Sequence, residues 1–202
     1  MKSKSKFIVF EGMDGSGKTT VSKNICEILN KKKIPCFWSK EPTDFPTGLK
    51  IRKFLKGEMN LDSKEQIDAF LEDRQVSVSE NILPNLNRGT SVILDRYYYS
   101  TAAYQSSDEF PAKTILNLNL EKKFPIPDLI IYLDIPPEVS LKRIENRLQE
   151  GEDKERFETL ALLAKIRKAY AEVIPHNAFL VDAELPEDQV SEICLERILD
   201  LF

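Results

Sequence analysis

Phe7-Ile8-Val9-Phe10-Glu11-Gly12-Met13-Asp14-Gly15-Ser16-Gly17-Lys18-Thr19-Thr20 is the stretch on which the reading of this chain turns. Its apolar opening reads as a buried strand, and residues 12 to 19 fit the pattern G-x-x-x-x-G-K-[ST]. Glycines at 12, 15 and 17 let successive backbone N–H groups converge on phosphate oxygens. Lys18 reaches the β- and γ-phosphates, and Thr19 offers a hydroxyl to Mg²⁺. The helix that follows points its positive end at the same anions. Gly12, Met13, Asp14, Gly15, Ser16, Gly17, Lys18, Thr19 and Thr20 are therefore the candidate site for a nucleoside triphosphate. The plain alternative is a turn that only joins strand to helix.

Working outward, further β-branched runs occur at Ile34 to Trp38, Ser91 to Leu94, Leu129 to Leu133 and Ala178 to Val181. Helical spacing lies between them, over about 17–31, 45–57, 62–87, 110–123, 137–150, 153–173 and 186–201. Strand and helix in alternation predict one α/β domain over 1–202, with a central five-stranded parallel sheet between two layers of helices. In such sheets ligands sit beyond the carboxyl ends of the strands, where the topology reverses. The 202 residues are 42% apolar and 31% charged, with a net charge of -4, which gives no basic face for nucleic acid. The N-terminal lysines precede only four apolar residues before Glu11, too few for a signal peptide or a membrane span, so a cytoplasmic location is expected. Cys26, Cys36 and Cys194 stand far apart and read as buried thiols, and His176 reads as a loop imidazole.

The strand ends carry the remaining chemistry. Lys40-Glu41-Pro42-Thr43 follows the second strand, and Asp95-Arg96-Tyr97-Tyr98-Tyr99-Ser100-Thr101-Ala102-Ala103-Tyr104-Gln105 follows the third. Arg96 is placed to clamp a second phosphate group, and the tyrosines offer flat faces and hydroxyls suited to a nucleoside. Asp95 could instead pair with Arg96 merely to cap a helix, with Tyr97 to Tyr99 as packing. Phe70, Asp73 and Arg74 share one helical face, where an aromatic ring and a guanidinium can stack on a base and donate to its edge; core packing beside a surface arginine explains the same spacing. Arg143 and Arg147 lie one turn apart, and Arg156 follows a charged, glycine-containing segment. Together they suggest a lid over about 143–158 that swings onto a triphosphate, or else a solvated helix face.

Taken in order, Glu11 to Thr20, Phe70-x-x-Asp73-Arg74, Asp95-Arg96-Tyr97 with Ser100 to Gln105, Pro127-Asp128 and Tyr132-Leu133-Asp134 resemble thymidylate kinase over roughly three-quarters of the chain. The resemblance implies a P-loop kinase fold and transfer of the γ-phosphoryl of ATP to dTMP, with Mg²⁺ held by Thr19 and, as a second candidate, Asp95. It implies that Asp14 sits near the sugar 3′-hydroxyl and that Phe70 stacks on thymine. Arg74 would donate to O4, and Arg96 would hold the acceptor phosphate. Tyr104 would exclude a ribose hydroxyl. Tyr97, Ser100, Thr101 and Gln105 complete the substrate set, the last two near the base. The phosphate loop offers no arginine at Asp14, Gly15 or Ser16, so the resemblance draws the missing cation from the lid, as in bacterial relatives. Arg147 and Arg156 are the candidates there, catalytic together with Lys18 and Arg96, and Arg143 joins the ATP set. A homodimer is also implied, with no nucleic-acid or membrane partner.

Two alternatives accompany this reading. A kinase of another nucleoside or monophosphate would use the same loop and fold. A GTPase-like switch would need an N-K-x-D reader, and the nearest match, Asn30-Lys31-Lys32-Lys33, lacks the aspartate.

Overall fold

A computed structural model describes residues 5–149, 156–157 and 159–202. Strands β1 (Phe7–Gly12), β2 (Cys36–Lys40), β3 (Ser91–Asp95), β4 (Leu129–Asp134) and β5 (Phe179–Asp182) form one parallel sheet in the order β2-β3-β1-β4-β5. β1, β3 and most of β4 are buried on both faces, as expected of strands covered by helices on each side. The chain leaves β1 for the β2–β3 side and later crosses to β4, so the topology reverses at β1. The phosphate loop hangs from that point.

Helices α1 (Lys18–Lys31), α2 (Pro46–Leu55), α3 (Ser63–Val76), α4 (Leu83–Asn87), α5 (Tyr98–Tyr104), α6 (Ala112–Glu121), α7 (Pro137–Gln149), α8 (Leu160–Val173) and α9 (Glu187–Leu199) flank the sheet. Among the described residues no helix is long and apolar enough to cross a membrane. Cys26, Cys36 and Cys194 are buried free thiols, and His176 is exposed.

Four sequence expectations shift. The second strand begins at Cys36 rather than Ile34, because Pro35 has no N–H for the ladder and contributes only its carbonyl, to Ser91 N at 2.8 Å. The helix expected over 62–87 is interrupted by a π-helical stretch, Ser77–Ile82, before α4. Pro84 at the start of α4 brings no amide to the regular ladder there, and the wider turn accommodates it. Residues 98–104, which apolar spacing did not mark, form α5. The helix expected over 153–173 starts at Leu160, with the Thr159 side chain accepting from Leu162 N at 3.4 Å. Most of the segment that joins it to α7, residues 150–155 and 158, lies outside the described residues.

Candidate active site

Gly12 closes β1 at φ +147°, and a Cβ there would stand 2.5 Å from the Leu133 carbonyl, so the neighbouring strand excludes any side chain. The loop then turns back on itself, with Ser16 N donating to Met13 O at 3.2 Å. Gly17, at φ +86°, launches α1 without a side-chain cap, which leaves the first-turn amides open to an anion. Lys18 Nζ donates to Met13 O at 2.7 Å and Ser16 Oγ at 3.3 Å. Burial and then the nearby Arg96 guanidinium pull the Lys18 pKa down to about 8. Helix α7 clamps the loop from above: Ser140 Oγ donates to Asp14 O at 2.6 Å and Arg143 Nη1 to Gly15 O at 3.1 Å.

Two cavities open at the carboxyl edge of the sheet. The first, about 520 Å³, runs from Asp14–Val21 past Arg143, Asn146 and Arg147 to Ala183, Leu185, Glu187 and Val190. The second, about 380 Å³, is walled by Lys40–Pro42, Arg52, Leu55, Phe70, Asp95, Ser100, Tyr104, Gln105 and Phe157. Asp14, Thr19, Arg96 and Arg147 border both, so the cavities meet end to end at a cluster of three charged groups and one hydroxyl.

Arg96 stands at that junction with φ +70°, in the left-handed region. Its Nη2 pairs with Asp14 Oδ1, and its Nη1 donates to Ser100 Oγ at 3.2 Å. Tyr104 OH donates to Asp14 Oδ2 at 2.9 Å and accepts from Asp14 N at 3.0 Å. Burial opposes the Asp14 charge, but Arg96 and then Lys18 outweigh it and hold the carboxyl below the ordinary aspartate range. Behind Arg96, Glu11 accepts from Tyr97 N at 2.9 Å and from Ser100 Oγ at 2.5 Å, fixing the start of α5. Its pKa is raised by burial.

At the far end of the second cavity, Phe70 stands half-buried on the wall beside Gln105. Gln105 is 5% exposed, and neither its amide oxygen nor its amide nitrogen has a hydrogen-bond partner. Next to them Arg74, 1% exposed, is already engaged: Nη2 pairs with Glu41 Oε2 at 2.7 Å and donates to Thr101 Oγ1 at 3.1 Å, and Nη1 donates to Asn119 Oδ1 at 2.6 Å. Only its Nε lacks a partner. Asp73, on the same helix, accepts from Thr43 N at 2.8 Å and Thr47 Oγ1 at 2.7 Å, tying α3 to the loop after β2.

The expected magnesium site passes a chemical test. Thr19 Oγ1 donates to Asp95 Oδ2 at 2.5 Å beside the phosphate loop, and the buried Asp95 Oδ1 has no partner. A hydroxyl and a carboxylate side by side are hard oxygen donors, suited to a cation that takes few protein ligands and completes its shell with phosphate and water. Among the described residues no cluster of three or more His, Cys, Asp or Glu offers an all-protein cage.

The geometry brings Asp14, Thr19, Phe70, Arg96, Ser100, Tyr104, Gln105, Arg143 and Arg147 to the cavity walls, whereas Arg74, Tyr97, Thr101 and Arg156 border neither cavity. The Arg156 guanidinium donates to Phe54 O at 2.7 Å, Met59 O at 2.9 Å and Asn60 Oδ1 at 2.7 Å, anchoring the chain on the end of α2. Tyr97 is a core residue, its ring edge-on to Phe7 and its hydroxyl donating to Pro125 O at 3.1 Å. Thr101 lies behind the wall, reached only through Arg74, and the Met13 side chain packs into the core so that only its backbone belongs to the loop. The sequence reading missed Arg52, which donates to Pro42 O at 2.5 Å and pairs with Asp44 at 2.9 Å, and the wall formed by Asn146, Ala183, Leu185, Glu187 and Val190. No local motif marks these positions: Arg52 reaches the second cavity through the docking of α2 after β2, and the other wall becomes a neighbour of the loop through the β1–β4–β5 order.

Comparison with known proteins places the chain in a family. The family model described as "Thymidylate kinase" matches residues 10–193. A thymidylate kinase of Leptospira borgpetersenii is 51% identical over 196 residues, covering 97% of this chain and 94% of the relative. Its counterpart in Leptospira interrogans is 50% identical over 200 residues, 98% of this chain and 97% of the relative. A probable thymidylate kinase of Archaeoglobus fulgidus is 40% identical over 195 residues, 96% and 95% of the two chains. With a family model spanning most of its length and relatives at half identity end to end, the chain belongs to the thymidylate kinase family.

Proposed function

We propose that the first cavity seats ATP and the second seats dTMP, so that donor and acceptor phosphates meet at Asp14, Thr19, Arg96 and Arg147. The activity is the family's: the γ-phosphoryl of ATP moves to the 5′-phosphate of dTMP, giving dTDP and ADP. The observation that carries the reading is the shared border of the two cavities, because in-line transfer needs both polyanions in one line with their charge neutralised. An oxygen of the dTMP phosphate attacks the γ-phosphorus, the bond to the β–γ bridging oxygen breaks, and ADP leaves. No protein nucleophile is required.

On this reading the Gly12–Thr20 loop and Lys18 hold the triphosphate, and the base of ATP lies between Arg143 and the wall of Ala183, Leu185 and Val190. Arg96 holds the acceptor phosphate, and Arg147, which borders both cavities, stabilises the charge on the transferring group. Mg²⁺, held by Thr19 with Asp95, would supply further neutralisation of phosphate charge. Asp95, already an acceptor from Thr19, orients this corner, and the ionised acceptor needs no general base.

For the base, Phe70 supplies the stacking face and the unpartnered Gln105 amide pairs with the N3–H and O4 edge. Arg74 is a donor-only group fixed from behind by Glu41, Thr101 and Asn119, so it favours the keto O4 of thymine over the amino group of cytosine. Tyr104, tied to Asp14 and Arg96, fills the space of a 2′-hydroxyl. The buried thiols agree with a cytoplasmic location, and a homodimer is carried as part of this proposal, to be read by light scattering.

The decisive experiment is ADP release with each nucleoside monophosphate in turn. Turnover with dTMP at least about a hundredfold better in kcat/KM than with dCMP, dGMP, dAMP or UMP is the expected result, in line with a site that reads polar edges. Equal turnover with a purine monophosphate would overturn the assignment of the second cavity.

A further inference from the structure

Four cations border the second cavity: Lys40, Arg52, Arg96 and Arg147. Arg52 is held by the Pro42 carbonyl and Asp44, and Arg96 is paired with Asp14. Arg147 borders the first cavity as well and faces the Asp14 charge. Lys40 differs. It is half-buried at the last position of β2, yet among the described residues its ammonium forms no hydrogen bond or ion pair. The carboxylates around it engage other groups: Asp44 pairs with Arg52, Glu41 Oε2 with Arg74, and Asp95 Oδ2 accepts from Thr19. Although Glu41 Oε1 and Asp95 Oδ1 are without a partner, neither carboxylate forms an ion pair with Lys40. A partly desolvated ammonium lined up on a cavity wall without an anion is an incomplete ion pair.

The sheet places this charge with purpose. Lys40 pairs in register with Asp95, the residue before Arg96, and the order β2-β3-β1 sets Lys40, Arg96 and the phosphate loop after Gly12 at three successive strand ends. Adjacent strands lie about 4.8 Å apart, so Lys40 flanks Arg96 on the side away from the ATP loop. The acceptor phosphate carries nearly two negative charges, whereas the charge of Arg96 is already offset by Asp14. The geometry points to Lys40 as a second phosphate-binding cation of the acceptor cavity, which contacts the 5′-phosphate of dTMP opposite Arg96. This rests on the assignment of that cavity to dTMP.

The test is calorimetric binding of two ligands, dTMP and thymidine, which differ only in the phosphate. Lys40→Met is expected to weaken dTMP about tenfold, the worth of one charge-assisted contact at a partly exposed site, and to flatten its salt dependence. Thymidine binding and the thermal midpoint stay as in the parent chain, and Lys40→Arg restores dTMP binding to within about threefold. Unchanged dTMP affinity in Lys40→Met, or equal weakening of thymidine, overturns the inference. Phe70→Ala separates it from the reading on which it rests. If that variant binds both ligands normally, the cavity assignment fails and this proposal with it; if it loses both while Lys40→Met loses neither, only the role of Lys40 is wrong.

Discussion

Gln105→Met should make the protein more stable and a worse enzyme at once. In the ligand-free chain the Gln105 amide is buried with both polar atoms unpartnered, and such a group costs about 1–3 kcal/mol relative to an apolar side chain of similar length. Methionine fills nearly the same volume with no polar demand. A gain of about 1 kcal/mol corresponds to roughly 2–4 °C in the melting midpoint for a chain of this size, so an upward shift of that order is expected by scanning calorimetry without ligand. Binding moves the other way. Two hydrogen bonds to thymine, each worth about 0.5–1.5 kcal/mol net, are lost, which is roughly a 5- to 150-fold weaker Kd for dTMP. ATP binding, in the other cavity, stays within twofold. A lower melting midpoint combined with unchanged dTMP affinity would refute the reasoning, because the amide would then serve the fold and not the ligand.

Arg147→Ala should lower kcat by about 10³-fold or more with little change in dTMP affinity, the pattern of a contact made in the transition state, whereas Arg156→Ala should keep kcat within about threefold. Steady-state kinetics on the pair decides between them. Tyr104→Ala should admit ribonucleotides, measured as a fall of at least about tenfold in the dUMP-over-UMP ratio of kcat/KM, while Tyr104→Phe keeps the ratio and only raises KM as Asp14 loses one of its two side-chain partners and keeps Arg96. Lys18, with its pKa pulled to about 8, is charged below that pH and neutral above it, so kcat/KM for ATP should decline as pH rises through about 8. A profile flat to pH 10 would contradict it.

The sheet and the phosphate loop were legible because their signals are local: apolar runs of strand length, and a glycine pattern that only an anion-binding turn requires. Arg96 and Tyr104 were legible as cavity-wall candidates through motif and strand-end position, and Phe70 through helical spacing with Arg74. What escaped has a common cause. The start of β2, the π stretch before Pro84 and the start of α8 at Thr159 each depend on one residue's missing N–H or side-chain cap rather than on periodicity. Arg156 and Arg147 look alike in sequence, and only tertiary docking onto Phe54 and Asn60 separates them. Tyr97 and Tyr104 are likewise one residue type with opposite destinations, core and cavity, decided by where the seven-residue α5 begins: Tyr97 is the extended residue before it and Tyr104 its last. Arg74 combines both: helix spacing located it, but Glu41, thirty-three positions away, determines what its nitrogens can do.

The positive φ of Arg96 sets a constraint on how this protein could be altered. A residue with a side chain in the left-handed region carries about 1–2 kcal/mol of backbone strain, which glycine would relieve. Arg96→Gly would relieve that strain but strand the mostly buried Asp14 carboxylate without its guanidinium, at a cost of about 3–5 kcal/mol, so the net expectation is a less stable protein that has also lost its acceptor clamp. At this one position toughness and turnover call for the same amino acid, and the awkward backbone persists because the side chain it aims is needed by the carboxylate beside it.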